Sequence, residues 1–230
     1  MGKTLCLTID DAPSETFLDK LDVLDRYGIC AIWFCQGNLM EQRPNAVREA
    51  ISRGHVIGNH SYTHASFEEL TVDQGVAEIT ATDAIIDKLH DEAGRPRRYR
   101  YFRFPYGNKG NGPPSSPRNE PELLAKYRAY QECLRSLGYT ALPSADPTGD
   151  VHWEWTFSTN DWSPFYPDVA LPDFTAPEQV LVATRDWSTA ADEARTEIII
   201  MHDTPGQRAH QLFCDLVAEL AGKGLPFIGA

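Results

Sequence analysis

Short apolar runs of strand character alternate with longer stretches of helical periodicity along almost the whole chain, and this alternation constrains the fold most. Thr4 to Ile9 reads as a buried strand. A helix opens near Ser14 and Glu15 and runs toward Tyr27, with Gly28 as its stop. Ile29 to Cys35 is a second strand, Arg43 to Arg53 a helix closed by Gly54, and His55 to Gly58 a short third strand. Thr71 to Ala93 is the longest helical pattern, with Val76, Ile79, Ile85, Ile86 and Leu89 at its apolar positions. Arg98 to Phe104 is a fourth strand. Helices follow at Glu120 to Leu137, Pro177 to Arg195 and Gln207 to Lys223, with late strands at Glu197 to Met201 and Leu225 to Ile228. This β-then-α order predicts a parallel sheet, closed or open.

The length of 230 residues suits one large α/β barrel, with two small domains as the lesser alternative, and is enough to bury a full core. The expectation is therefore a single catalytic domain over residues 1–230, with a Pro/Gly-rich loop region at about 107–177. Eleven of the sixteen prolines fall from Pro105 to Pro177, so much of that stretch cannot be regular structure and could lie beside a site. A net charge of -12 disfavours nucleic acid and anionic membranes as partners. No apolar run approaches membrane-spanning length and no leader-like run precedes the first strand. The five cysteines (Cys6, Cys30, Cys35, Cys133, Cys214) are odd in number and lack C-x-x-C spacing, as small apolar fillers in a reducing compartment would be. A cytoplasmic location is favoured, with secretion open if the chain is trimmed from a longer precursor. Oligomeric state is not readable from the sequence.

The residues with chemical potential stand just after strands: Asp10 and Asp11, His60 and His64, Arg103 to Tyr106, and His202. Barrel enzymes place their chemistry at the C-terminal ends of strands. One carboxylate and two imidazoles make a three-ligand set for a divalent metal with an open position. Asp11, His60 and His64 fit that description, and Asp10 would stand beside the metal as a proton acceptor. The combination reads as metal-assisted hydrolysis. Each motif alone has a plainer use: an Asp-Asp pair caps helices, and H-x-x-x-H can be two unrelated surface imidazoles. Their joint occurrence in order after strands changes the odds. His55, His90, His152 and His210 match no motif and read as surface or satisfied histidines. Trp153, Trp155 and Phe157 alternate as one face of a strand would, and Asp203 reads as a cap on the turn after His202.

The set T-I-D-D-A-P, H-S-Y-T-H, R-F-P-Y-G, N-D-W and I-M-H-D resembles the five motifs of the polysaccharide deacetylases, the NodB-homology domains of carbohydrate esterase family four. The resemblance runs from residue 4 to about 229, with all five motifs in order. It implies an α/β fold, a distorted, incomplete (β/α) barrel. It implies that Asp11, His60 and His64 bind the metal, usually zinc in this family, with Co2+, Ni2+ or Mn2+ possible. Asp10 would be the general base and Arg103 would hold it as an anion. The backbone N–H of Tyr106 would help stabilise the oxyanion. His202 would be the general acid, with Asp161 tuning it, and Trp162 and Ile200 would wall the pocket for the acetyl methyl, Tyr106 also touching substrate.

The chemistry agrees with that division. An amide carbonyl is a poor electrophile and an amine a poor leaving group, so the reaction needs Lewis-acid polarisation, an oxyanion donor and a proton donor. Two departures from the family pattern stand beside the site: Ala12 replaces the glycine usual after the paired aspartates, and Ile9 the aromatic usual before them. Alanine at position 12 would be strained if φ there were positive. The expected activity is removal of the acetyl group from an N-acetylated sugar or oligosaccharide. A first alternative is hydrolysis of another small amide or ester, such as a formamide, a cyclic ureide or an O-acetyl group. A second is a non-catalytic carbohydrate-binding relative.

Overall fold

The computed structural model describes residues 3–112, 115–141, 150–187 and 196–228. Five strands, β1 (Thr4–Ala12), β2 (Ile32–Cys35), β3 (Val56–Asn59), β4 (Phe157–Ser158) and β5 (Thr196–His202), form a sheet of order β3-β2-β1-β5-β4. β5 pairs in parallel with both β1 and β4. The helices are α1 (Phe17–Arg26), α2 (Gly37–Gln42), α3 (Pro44–Ser52), α4 (Val72–Glu92), α5 (Pro121–Ser136), α6 (Pro177–Asp186) and α7 (Gln207–Gly222). No helix among the described residues is long and apolar enough to cross a membrane.

The chain divides into two compact units. The first comprises residues 1–33, 54–56 and 155–230. Its strands β1 and β5 are buried on both faces, as a covered parallel sheet requires: Leu5, Leu7 and Ile9 on one face of β1 with Cys6 and Thr8 on the other, and Ile198, Ile199 and Met201 in β5. Leu21 and Leu24 of α1 and Leu212, Phe213 and Leu216 of α7 supply further buried packing. The second unit comprises residues 34–53 and 57–154. Its core is an aromatic cluster of Phe67, Phe102, Phe104, Tyr130 and Tyr139 with Ile79 and Leu134. Edge-to-face pairs such as Phe67 with Phe104 and with Tyr130, both at 5.0 Å between centroids, set its geometry. α4 starts with a capping box, in which Thr71 accepts from the Gln74 N–H and Gln74 returns a bond to the Thr71 N–H.

Gly75 of α4 lies against Tyr130, and a methyl there would overlap the ring. Helix propensity favours alanine by about 1 kcal/mol, but overpacking a fixed aromatic costs about 1–3 kcal/mol. Gly75→Ala is therefore expected to lower the urea midpoint of unfolding, whereas an unaltered or raised midpoint would mean that Tyr130 moves aside.

Most predicted elements stand within a few residues of their expected bounds. The strand read over Arg98 to Phe104 does not form a ladder. Among the described residues it makes one β-bridge, to Asn59, which donates to Tyr101 O and accepts from Arg103 N. β3 ends at Asn59 and the chain turns into the histidine loop, so the remaining main-chain bonds to the segment are single ones, Trp153 N donating to Phe102 O and Thr140 N to Arg100 O, and Pro105 then removes a donor. Leu225 to Ile228 likewise gives one bridge, from Leu5 to Phe227, because Pro226 has no N–H to offer. The strand over Trp153 to Phe157 reduces to Phe157–Ser158. α6 stops at Asp186, and the rest of the helix read to Arg195 falls largely outside the described residues. The short α2 was not foreseen.

Candidate active site and metal-donor group

In the first unit, the proposed base and acid stand on neighbouring strands. β1 and β5 run in parallel register with Asp10 opposite His202 and Thr8 opposite Ile200, so Asp10 and His202 share one face of the sheet at its C-terminal edge. Asp10 is 3% exposed. Its main-chain carbonyl accepts from Asp203 N at 2.7 Å, which ties the two strand ends together. Asp11 follows with φ 66°, in the left-handed region that non-glycine residues rarely adopt. Ala12 is buried without a positive φ, so the side chain that replaces the family glycine carries no such strain.

Asp161 grips His202 twice. One carboxylate oxygen accepts from the His202 backbone N–H at 2.9 Å, and the other lies 2.9 Å from Nδ1. A carboxylate can only accept, so Nδ1 carries the proton and Nε2 is the ring's second titrating position. Burial disfavours the imidazolium, but the Asp161 bond and charge, with the fields of Asp11 and Asp10, outweigh it and raise His202 to about 9. Asp161→Asn removes the leading favourable contribution and leaves the burial penalty, so the His202 pKa is expected to fall in an NMR titration of the metal-free protein. An unmoved titration would show that Asp161 does not set it. The Thr159 hydroxyl lies 3.0 Å from Asp161 Oδ1 and 3.0 Å from the Ile200 carbonyl, fixing the carboxylate from behind. Trp162 is half-buried with its ring 6.4 Å from that of His202, and Ile200 is buried on the His202 face of β5.

In the second unit, the loop after β3 holds the two imidazoles close. The rings of His60 and His64 lie 4.9 Å apart, and that of Tyr106 lies 4.6 Å from His64. Nδ1 of His60 faces the Arg103 carbonyl at 2.8 Å. A carbonyl accepts only, so this bond places the proton on Nδ1 and the lone pair on Nε2, the arrangement of a metal-ligating histidine. Asn59 anchors the loop: its amide donates to Ile79 O and Tyr139 Oη and its oxygen accepts from Ser61 N. Arg103 is 1% exposed, with its guanidinium over the Phe34 ring and donating to Glu154 O at 3.1 Å. Tyr106 is 66% exposed, on a tight turn of Pro105–Gly107.

The positive-φ residues gather at these loops: Asp11, Ser61, His64, Tyr106 and Asn160 are the five non-glycine cases among the described residues. Backbone held in this region costs on the order of 1–3 kcal/mol per residue and concentrates at functional sites. Among the described residues one group could hold a metal ion: Asp11, His60 and His64 each offer one ligand atom, these atoms lying within 4.8 Å of one another. One carboxylate and two imidazoles suit a borderline divalent cation such as zinc.

Of the four unassigned histidines, three follow the satisfied reading and His210 is partly exposed. His55, His90 and His152 are buried, with Nδ1 of each bonded, to Ala31 N, Arg95 O and Gln131 respectively. Trp153 is buried and donates to Thr140 O, a packing role as expected. Asp203 is not a simple turn cap: its carboxylate is fully buried and ion-paired with Lys20. Neither Lys20 nor Asn59 stood out in the sequence.

Residues 1–113 match the family model described as polysaccharide deacetylase. A peptidoglycan-N-acetylglucosamine deacetylase of Bacillus cereus is 35% identical over 104 residues, which are 45% of this chain and 36% of that protein. The peptidoglycan-N-acetylmuramic acid deacetylase PdaA of Bacillus subtilis is 29% identical over 106 residues, 46% of this chain and 39% of that protein. The chain thus spans little more than a third of the length of these two relatives. The solved structure of a family 4 carbohydrate esterase from Streptomyces lividans, in complex with acetate, superposes with a TM-score of 0.63 at 24% identity. It covers 97% of this chain and 91% of the esterase, and carries the fold, the distorted barrel of the NodB-homology type. The matched segment contains four of the strand-end residues singled out above, Asp10, Asp11, His60 and His64; over residues 1–113 the chain is similar to the polysaccharide deacetylases, and the likeness of fold extends over the rest.

Proposed function

We propose that the protein is a metal-dependent hydrolase that removes the acetyl group from an N-acetylated sugar or oligosaccharide, giving acetate and a free amine. The donor group of Asp11, His60 and His64 carries this reading. The relatives named for N-acetylglucosamine and N-acetylmuramic acid deacetylation in peptidoglycan support the substrate class.

Asp11, His60 and His64 would hold the divalent ion, zinc being the expected one. When bound it supplies Lewis-acid polarisation of the amide carbonyl and lowers the pKa of water toward about 7. Asp10 takes the proton from the attacking water, with Arg103 to orient it. The Tyr106 N–H donates to the carbonyl oxygen as negative charge builds there, a contact worth on the order of 3 kcal/mol. The carbon–nitrogen bond then breaks while His202 Nε2–H gives its proton to the departing nitrogen, with Asp161 holding the ring in the tautomer that allows it. Trp162 and Ile200 wall the acetyl methyl, so bulkier acyl groups are expected to react more slowly; equal rates across acyl sizes would remove that assignment.

The test is acetate release from N-acetylated sugars, from monosaccharide to hexamer, with zinc supplied and with a chelator as control. Chelator-sensitive release supports the deacetylase, and its length profile locates the substrate. No release with metal bound would shift the assignment to another small amide or ester. No release and no bound metal would leave a non-catalytic carbohydrate-binding relative.

A further inference from the structure

Lys20 and Asp203 form an ion pair whose two side chains are both 0% exposed. Burying two charges costs several kcal/mol per ion, and an apolar pair of the same volume is often as stable, so stability is a weak reason for such a pair. Its connections suggest another. Asp203 immediately follows His202 and accepts from three donors: the Lys20 ammonium, the Ser14 hydroxyl at 2.7 Å and the Ser14 N–H at 2.6 Å. Lys20 also donates to the Thr204 carbonyl at 3.0 Å, and the Thr16 N–H donates to Ser14 Oγ at 3.1 Å. Asp203 N in turn donates to Asp10 O. One carboxylate therefore pins the turn after β5, which carries His202, to the turn after β1, which carries Asp10 and Asp11. Lys20 reaches both from α1, its ammonium 5.5 Å from the Phe213 ring of α7.

We propose that Lys20 and Asp203 are positioning residues: their buried pair sets the separation of the proton acceptor Asp10 and the proton donor Asp161–His202, acting through backbone and not by touching substrate. The geometry favours this over simple packing. All three donors to the Asp203 carboxylate come from the β1–α1 connection and α1, 183 to 189 residues away in sequence. Asp10 and His202 are themselves the last pair of the β1–β5 register, so a shift of either turn is felt first at the end of the ladder from which both side chains project. The catalytic half of the claim rests on the deacetylase reading; the structural half does not.

The experiment compares Lys20→Met, Asp203→Asn, the double variant and Lys20→Arg with wild type. The double variant leaves no uncompensated buried charge and is the safest to fold. Loss of such supporting contacts typically costs 10–100-fold in activity. The expected result is a kcat reduced by about that factor in Lys20→Met and in the double variant. KM stays near wild type and Lys20→Arg is partly rescued. Amide hydrogen exchange at Asp203 and Ser14 accelerates in the same variants, while Ile199 and Leu216 exchange as in wild type. A folded double variant with wild-type kcat would overturn the catalytic half, and unchanged exchange at Asp203 would overturn the positioning itself. If wild type releases no acetate, the deacetylase reading fails, and exchange at Asp203 still decides whether the pair fixes the turns.

Discussion

Replacing His202 by alanine, or Asp10 by asparagine, is expected to cut acetate release by about 10²–10⁴-fold while a divalent ion still binds. Neither residue belongs to the metal-donor group, so binding and turnover should separate. The two residues do opposite things in one cycle: Asp10 gains a proton from water, and His202 loses one to the amine. The double variant should therefore lose little more than the worse single one, because groups acting as a unit are not additive. pH gives a second reading. His202 must be cationic to donate, so the rate falls as pH rises through its pKa. That pKa is raised to about 9 against burial by Asp161 first, with Asp11 and Asp10 adding to it. A cation at Asp11 offsets part of that field, which places the alkaline limb of kcat/KM at or below about 9. Normal turnover by His202→Ala would remove His202 from the mechanism.

The chemistry-bearing residues were legible because strand ends are legible. Apolar runs fix β1 and β5, and a parallel sheet then delivers Asp10, Asp11 and His202 to one edge whatever the helices do. Asp161 and Trp162 could be placed only by motif, since β4 before them is two residues long and leaves no periodicity to read. The failures have a common cause: they depend on partners distant in sequence. Arg98 to Phe104 has the composition of a strand, yet it receives one bridge from Asn59 and single bonds from Thr140 and Trp153 instead of a ladder, and composition carries no information on partner supply. The Lys20–Asp203 pair spans 183 residues, and nothing local to α1 marks Lys20 as buried instead of solvated. The left-handed backbone of Asp11, His64 and Tyr106 was equally hidden, because sequence rules assign positive φ to glycine first. The question raised by Ala12 had the right physics and the wrong residue: the strain sits one position earlier, at Asp11.

That displaced strain gives the second large effect. His64 holds φ 62° with a full side chain, a conformation costing roughly 1–2 kcal/mol that glycine avoids. His64→Gly is therefore expected to abolish zinc binding and acetate release without lowering the melting temperature of the metal-free protein. The relieved backbone offsets the lost ring contacts with His60 and Tyr106. His60→Ala should behave differently. His60 is buried, its Nδ1 bonded to the Arg103 carbonyl, so that variant also leaves an acceptor unsatisfied, at a cost of about 1–3 kcal/mol. Added zinc should raise the melting temperature of wild type, since a ligand held only by the folded state stabilises by mass action. It should leave both variants unmoved, and chelator should return wild type to its metal-free value with activity lost in step. Three outcomes are thus separable in one set of melts: strain relieved, structure lost and metal lost. If His64→Gly binds zinc as wild type does, the imidazole is not a ligand and the donor set fails. If it binds none yet melts several degrees below the metal-free protein, the left-handed backbone at His64 is a product of packing and not strain held for the sake of a ligand.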